Sequence, residues 1–434
     1  MDDELKSLLN RFDGGSTITR AIVDHAKDWN KSLKEVSAEA VPLIQDFVKR
    51  TVLTQTPGNY KPAEEPVEIA NVTLNLTNRC NLNCGFCYNA GLDKPAVSVE
   101  KLSLFIKNAQ SDMSKDASLI ILGGEPTLVP DRLFYLLDSV GDIFSQAPMI
   151  STNGTRLSRD IVKKFSDRRV EVQVSLDSHD SKVHDAGRGK GVFHRAITGI
   201  QRLVDAGVYT IVSMVYKQSN IQDMEGYLNL AMSLGVNEAR FIPLRRVGAA
   251  KNYQESEQPD QLAVFEHLLD ILDRKPKLSE LLKRDFFSIA MLQCRTSTSR
   301  VSCGIGRRVI FIDADGGIYP CPNHVTPDFL LGGVGTDTLY NILNKNHVMR
   351  GLRERYHVNR YTQCSKCAFK HWCAGDCRGE VLALTGIQTA PSPHCEQLFR
   401  MYTRILWLIA QGDTRLNNMA ANSNRKDVKD TFLF

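Results

Sequence analysis

The eleven cysteines constrain this chain more than any other feature, because of where they fall. Three stand at 80, 84 and 87. The other eight stand at 294, 303, 321, 364, 367, 373, 377 and 395, and the long stretch between Cys87 and Cys294 has none. The N-terminus, Met1-Asp2-Asp3-Glu4-Leu5, is acidic and lacks the apolar stretch of a signal peptide, so a cytoplasmic location is expected. In a reducing compartment, thiols this numerous argue for metal ligation rather than a disulfide framework. The chemistry is thus split between two places in the sequence. A net charge of +5 without any block of like charges argues against nucleic acid or a membrane surface as partner. No apolar run reaches membrane-spanning length.

The 434 residues suggest two to three domains. Residues 1–69 read as a helical segment and a linker. Ile18, Ile22, Ala26 and Trp29 recur at helical spacing, as do Val41, Ile44, Phe47 and Val48. Pro42 fits that pattern only near a helix start. Pro57, Gly58, Pro62 and Pro66 mark 54–69 as the linker. From Val72, β-rich runs at 72–77, 118–122, 147–151, 170–176, 209–215 and 238–243 alternate with amphipathic stretches such as 99–110, where Leu102, Phe105, Ile106 and Ala109 share one face. This alternation predicts a parallel sheet of βαβ units over 70–245, six of them, making a partial barrel or open sheet. Residues 246–300 read as a mostly helical bridge. Residues 308–320 predict a hairpin turning at Asp315-Gly316-Gly317. The cysteine-rich region, 301–411, ends in a helix, and 412–434 is expected to be a mobile polar tail.

Directly after the first predicted strand stands Cys80-x3-Cys84-x2-Cys87. Three thiolates in eight residues can wrap one face of a cubic 4Fe–4S cluster, whose full ligation is four cysteines. The missing fourth leaves one iron open to a ligand, and the carboxyl end of a strand is where ligands bind in α/β sheets. A structural zinc site is the competing reading, but it needs a fourth ligand that does not stand nearby. With Phe86 before the last cysteine, the motif resembles the signature of the radical S-adenosylmethionine (radical SAM) superfamily. The resemblance implies a partial (β/α)6 barrel in which the amino and carboxylate groups of S-adenosyl-L-methionine chelate the open iron. It also implies reductive cleavage of that cofactor to methionine and a 5′-deoxyadenosyl radical. Gly123-Gly124-Glu125-Pro126, after the second strand, resembles the family's element for the methionine amino group. The glycines would let backbone approach a ligand, and Glu125 would accept from an ammonium group. Ser151-Thr152-Asn153-Gly154 resembles the family's third-strand element, and reads equally as an ordinary turn. The resemblance also carries over Ser175 and Arg188 as contacts to the cofactor's ribose and carboxylate, since a guanidinium fork suits a carboxylate. His184 reads either as a packed or as a catalytic histidine.

The C-terminal pattern Cys364-x2-Cys367-x5-Cys373-x3-Cys377, followed by Cys395 and preceded by Cys303 and Gly316-x4-Cys321, resembles the SPASM domain of radical enzymes that modify peptides. The resemblance implies two interleaved auxiliary clusters, one on Cys364, Cys367, Cys373 and Cys395, the other on Cys303, Cys321 and Cys377. If Cys294 completes the second, three 4Fe–4S clusters use all eleven cysteines; a buried free thiol is the alternative for Cys294. A zinc knuckle for protein or nucleic-acid contact is the competing reading from another class, and Lys366, Lys370, His371 and Trp372 offer it little basic or aromatic surround.

The resemblance implies a precursor peptide or protein as substrate and a flavodoxin or ferredoxin as electron donor. The reactions in question are carbon–carbon or thioether crosslinking, epimerisation, and oxidation to formylglycine. Sulfatase-maturing relatives place an aspartate after the second SPASM cysteine. Here that position is Pro322, which cannot take a proton, so ribosomal-peptide maturation ranks above formylglycine formation. No residue identifies itself as the catalytic base. Arg245 and Arg246, after the sixth strand, read either as meeting an acidic substrate or as merely solvated. Residues 17–53 read as part of a leader-peptide-binding element or as a plain helical cap.

Overall fold

The computed structural model describes residues 7–8, 11, 17–49, 67–89, 95–295, 300–416 and 419. Two helices come first, α1 (Ile18–Asp28) and α2 (Leu33–Lys49). Ile22 and Ala26 are buried as their spacing requires, while Ile18 and Trp29, at the ends of the same row, are exposed. Pro42 lies well inside α2 and not at its start, a correction to its expected place. Most of the predicted linker, 54–66, lies outside the described residues.

Six parallel strands follow: β1 (Ile69–Asn75), β2 (Met113–Leu122), β3 (Met149–Thr152), β4 (Glu171–Ser175), β5 (Tyr209–Tyr216) and β6 (Glu238–Pro243). Their order in the sheet is their order in the chain, as right-handed βαβ crossovers produce. The connecting helices are α3 (Val99–Asn108), α4 (Pro130–Val140), α5 (Arg159–Asp167), α6 (Ser181–Arg188), α7 (Val192–Asp205) and α8 (Met224–Leu234). Ser98, Ser158 and Asp180 start α3, α5 and α6 by accepting from backbone N–H groups of the first turn. Leu102, Phe105, Ile106 and Ala109 are all buried, as their shared face predicts. Two boundaries move. β1 begins at Ile69, which pairs with Met113 through a bulge before Asn71, and β2 begins at Met113. Residues 113–117 of β2 include exposed polar side chains and so carry no apolar signal.

The bridge carries α9 (Gln261–Arg274) and α10 (Phe286–Arg295). The predicted hairpin then forms as β7 (Val309–Ile312) and β8 (Gly317–Tyr319). Its docking is not legible in the sequence. β7 pairs in parallel with β1, and β8 and the short β9 (Gly332–Gly333) extend the sheet to nine strands, ordered β6-β5-β4-β3-β2-β1-β7-β8-β9. The cysteine-rich region adds α11 (Leu339–Asn344), α12 (His347–Arg355), α13 (Lys370–Cys373), α14 (Arg378–Thr385) and α15 (Cys395–Ala410). α15 packs on α9, α10 and α2, so the two ends of the chain meet. The expected polar tail begins inside the fold. Leu416 and Met419 are fully buried, and Arg415 pairs with Asp413 and Asp273; 420–434 lie outside the described residues. No described helix is long and apolar enough to cross a membrane.

Candidate cofactor site at the barrel mouth

The segment that leaves β1 carries Cys80, Cys84 and Cys87 across the carboxyl end of the sheet. Gly123 and Gly124 are required there for a reason the sequence did not show. A Cβ on Gly124 would lie 2.2 Å from the Arg79 carbonyl oxygen, and one on Gly123 2.6 Å from that of Thr77. The backbone these glycines admit is the chain's own. The Gly124 N–H donates to Thr77 O at 2.6 Å and the Glu125 N–H to Arg79 O at 2.8 Å, which fixes the cysteine segment against the end of β2.

Glu125 is fully buried. Its Oε1 accepts from the Thr127 N–H and from the hydroxyls of Thr127 and Thr152, and its Oε2 from the Asn153 N–H alone. Burial pushes this carboxyl up, against the four hydrogen bonds that stabilise its anion. The oxygen with a single partner, Oε2, is the one able to meet a ligand's ammonium group. Asn153 closes a turn and reaches the cysteine segment. Its Oδ1 accepts from the Thr155 N–H and hydroxyl, closing a turn, and its Nδ2 reaches Asn81 Oδ1 at 3.1 Å and stands 4.0 Å from Cys80 Sγ.

Arg188 is buried and held by Asp177 through two contacts, Nε–Oδ2 at 2.5 Å and Nη2–Oδ1 at 3.1 Å. Its guanidinium lies over the Phe86 ring, 5.1 Å from the centroid. The fork expected to take a ligand's carboxylate thus holds one inside the protein, and its charge also favours the thiolates of Cys84 and Cys87. Burial pushes all three thiols of the segment up. Ser175 ends β4 opposite Ser213, half-buried. His184 is a packed histidine: fully buried, edge-on to Phe193, its Nδ1 accepting from the Asp177 N–H, and held near a pKa of about 4 by burial.

A strap over the cysteine segment escaped the sequence reading. The Ala249 N–H donates to Cys87 O at 2.9 Å, Gly248 passes so close that a Cβ would sit 2.5 Å from Tyr88 O, and the Tyr253 hydroxyl lies against Gly85. The small residues Gly248-Ala249-Ala250 were its only trace.

In the C-terminal region the sulfurs fall into two electrostatic neighbourhoods. Burial raises the thiols of Cys373 and Cys395 most; Asp376 and then Cys367, Cys364 and Cys395 add to the rise of Cys373, and Cys367 and Cys364 to that of Cys395. Separately, Cys377 and Cys303 raise Cys321. Cys294 is buried on α10, and its charge acts with that of Cys373 on Tyr402. Sulfurs around a tetrahedral zinc ion would stand about 3.8 Å apart. Among the described residues no three cysteine sulfurs are grouped within 4.8 Å of one another. N–H groups point at several sulfurs: Leu82 at Cys80, Asn323 at both Cys321 and Cys377, Phe369 at Cys367, and the Gln363 side chain at Cys395. None of the eleven cysteines is in a disulfide.

Arg245 corrects its own reading. It is not solvated but joins the end of β6 to the cysteine-rich region, pairing with Asp376 and Glu380 at 2.9 Å each. The Arg246 N–H donates to Glu380 as well. Asp376, Glu380 and His394 bring three ligand atoms within 4.8 Å of one another, but the guanidinium of Arg245 already balances that charge. It holds both carboxyls down near a pKa of about 2 despite their burial.

Comparison with known proteins places this arrangement. The radical SAM superfamily matches residues 74–231, and the SPASM iron–sulfur cluster-binding domain matches 303–368, together more than half of the chain. Among relatives, mycofactocin maturase MftC of Mycobacterium ulcerans (strain Agy99) is 29% identical over 337 residues, covering 75% of this chain and 87% of that one. Among solved structures, native anSMEcpe with bound AdoMet matches with a TM-score of 0.64 at 18% identity, over 81% of this chain and 99% of that one. Streptococcus suis SuiB bound to its precursor peptide SuiA matches with a TM-score of 0.62 at 16% identity, over 91% and 93%. With its cysteine segment fixed at the mouth of a six-stranded parallel sheet and its second cysteine region docked on the same sheet, this chain belongs to the radical SAM superfamily of enzymes and carries a C-terminal SPASM iron–sulfur domain.

Proposed function

We propose that this enzyme matures a ribosomally made peptide, removing hydrogen from one of its residues to form a carbon–carbon or thioether crosslink or another oxidised product. The observation that carries the reading is the convergence of the cysteine segment with the ends of β2, β3 and β4 at one mouth, where the chain's own hydrogen bonds fix it. The maturase name of the M. ulcerans relative and the precursor peptide bound in the SuiB structure support a peptide as substrate.

The residues present fit the groups this chemistry needs. Cys80, Cys84 and Cys87 would hold one 4Fe–4S cluster, and Phe86, Gly123, Gly124, Glu125, Asn153, Ser175 and Arg188 would line the place of S-adenosyl-L-methionine, with the Arg188 guanidinium already held by Asp177. Cys364, Cys367, Cys373 and Cys395 would hold a second cluster. Cys303, Cys321 and Cys377 would hold a third, with Cys294 either its fourth ligand or a buried free thiol. The N–H groups aimed at sulfur favour thiolates over thiols, as cluster ligands must be. When bound, the cluster and cofactor supply a 5′-deoxyadenosyl radical from one electron given by a flavodoxin or ferredoxin. The chain positions and shields that chemistry. Glu125 and Asn153 set the ends of β2 and β3, Arg188 holds Asp177 and covers Phe86, and the strap at 248–253 covers the cysteine segment.

The test is the high-resolution mass of the short peptide encoded beside the gene, after anaerobic co-expression. Loss of two hydrogens, absent when Cys80, Cys84 and Cys87 are alanine, is the expected result. An unchanged mass without deuterium uptake in heavy water overturns the reading for that peptide.

A further inference from the structure

On β1, Val72 and Leu74 face the apolar core, so Thr73 and Asn75 face the opposite side of the sheet. Asp313, at the end of β7, lies level with Asn75 at the same end of the sheet as the cysteine segment. There a chain of hydrogen bonds runs through three asparagines. Asp313 Oδ1 accepts from Asn75 Nδ2 at 3.1 Å, Asn75 Nδ2 also meets Asn89 Oδ1 at 3.2 Å, and Asn89 Nδ2 meets Asn78 Oδ1 at 3.2 Å. The Tyr88 hydroxyl joins by donating to Asn75 Oδ1 at 2.7 Å, which places the chain one residue from Cys87.

Both ends of this chain are left open. Asp313 is 1% exposed, yet its Oδ2 has no partner. Asn78 Nδ2 is buried with none, and neither is Thr73 Oγ1, on a residue 0% exposed. A buried polar atom without a hydrogen bond costs about 1–3 kcal/mol, so the two at the ends of this chain call for a polar partner. Asp313 stands apart from the elements at the ends of β2, β3 and β4, and Asn78 leads into the cysteine segment two residues before Cys80. An acceptor open at one end of the chain and a donor open at the other suit an N–H and a C=O of a peptide backbone.

We propose that Asp313 and Asn78 bind the substrate, Asp313 Oδ2 accepting from an amide N–H and Asn78 Nδ2 donating to an amide C=O of the peptide, beside the cysteine segment. This deepens the peptide-maturase reading and rests on it for the class of substrate. Asp313→Asn is the informative variant. Its remaining oxygen keeps the bonds from Asn75 and from the Ala314 N–H, and the new NH2 replaces only the oxygen that touches no protein atom.

The experiment uses the reconstituted, cluster-loaded enzyme and the synthetic peptide encoded beside the gene. Asp313→Asn is expected to raise KM by about tenfold or more, since a donor now faces the substrate's donor. Its iron content and reduced-cluster EPR spectrum stay those of the wild type. Wild-type KM in Asp313→Asn overturns the proposal, leaving an asparagine cluster that serves the fold alone. If the wild-type enzyme does not convert the peptide, the maturase reading fails for it. The binding site is then judged by the thermal midpoint of Asp313→Asn without substrate. A midpoint at or above the wild type means that Oδ2 has no protein partner and supports the site, and a lowered one overturns it.

Discussion

The cysteine segment at the barrel mouth and the cysteines of the C-terminal region treat their sulfurs differently. At the mouth, Cys80 is exposed, Cys84 and Cys87 are half-buried, and Arg188 partly offsets the burial of the latter two. In the C-terminal region, Cys321 and Cys364 are buried at 6% and 8% exposure, and burial pushes Cys377 and Cys395 up to about 11. The surroundings differ in kind as well. A backbone strap covers the first set, while Phe369, Trp372, Phe399 and Tyr402 stack beside the second. A metal site that must take a ligand keeps a position open, whereas a store of electrons gains from closure, because burial and hydrogen bonds set its potential. Cys303, Cys367, Cys373, Cys377 and Cys395 are half-buried like Cys84 and Cys87, so the two sets differ by the exposed Cys80 at one and by the buried Cys321 and Cys364 and the aromatic wall at the other, with the same ligand type.

The largest effect that sharpens this contrast is expected from Cys373→Ala. If the closed region receives the second electron, peptide product disappears while 5′-deoxyadenosine is still formed, read by chromatography of both. Product at the wild-type level would break the contrast. Next comes the seam between the regions. Arg245→Met strips the counter-charge from Asp376 and Glu380, whose side chains are 5% and 1% exposed. The loss should be about 3–5 kcal/mol, the cost of leaving buried charges unpaired, visible as a lower urea midpoint. An unchanged midpoint would mean that the regions do not depend on that seam.

The smallest effect compares two histidines, one in each region. His184 and His324 are both held near a pKa of about 4 by burial, below the ordinary 6.5. The unfolded chain takes the proton first, so each costs stability as pH falls from 6.5 towards 4 and nothing above 6.5. At pH 5 the loss is about 2 kcal/mol for each. His184→Gln and His324→Gln should each shrink the fall in stability between pH 7.5 and pH 5 by that amount, measured in urea. Equal shrinkage means that the regions unfold together. A variant that alters only one of two separate transitions means that they unfold apart.

The six parallel strands were legible because strands covered on both faces read as short apolar runs. The hairpin was legible from Asp315-Gly316-Gly317. Its pairing with β1 was not, since Val309–Ile312 looks like any buried strand and nothing in it names a neighbour well over two hundred residues away. Motifs named the candidate site residues, but the contacts that two of them make were not legible. Gly123 and Gly124 admit the chain's own backbone, and Arg188 has a partner in Asp177. Arg245 was misread because Arg245-Arg246 looks like a solvated pair until Asp376 and Glu380, far along the chain, arrive beside it. Asp313 and Asn78 carry no motif; only unmet hydrogen-bonding capacity reveals them.

The pairing of β1 with β7 has a consequence for how such an enzyme can change over time. One edge of β1 bonds to the strand that leads into GGE, the other to the strand that lies between Cys303 and Cys321. The two metal-bearing parts are thus spaced by a ladder of backbone hydrogen bonds rather than by a hinge. A C-terminal region borrowed from a relative has to bring its own β7, or it bares an inner strand of the barrel to solvent and to other chains. Recombination within this family should therefore succeed when the crossover falls ahead of residue 309 and fail when it falls inside the hairpin.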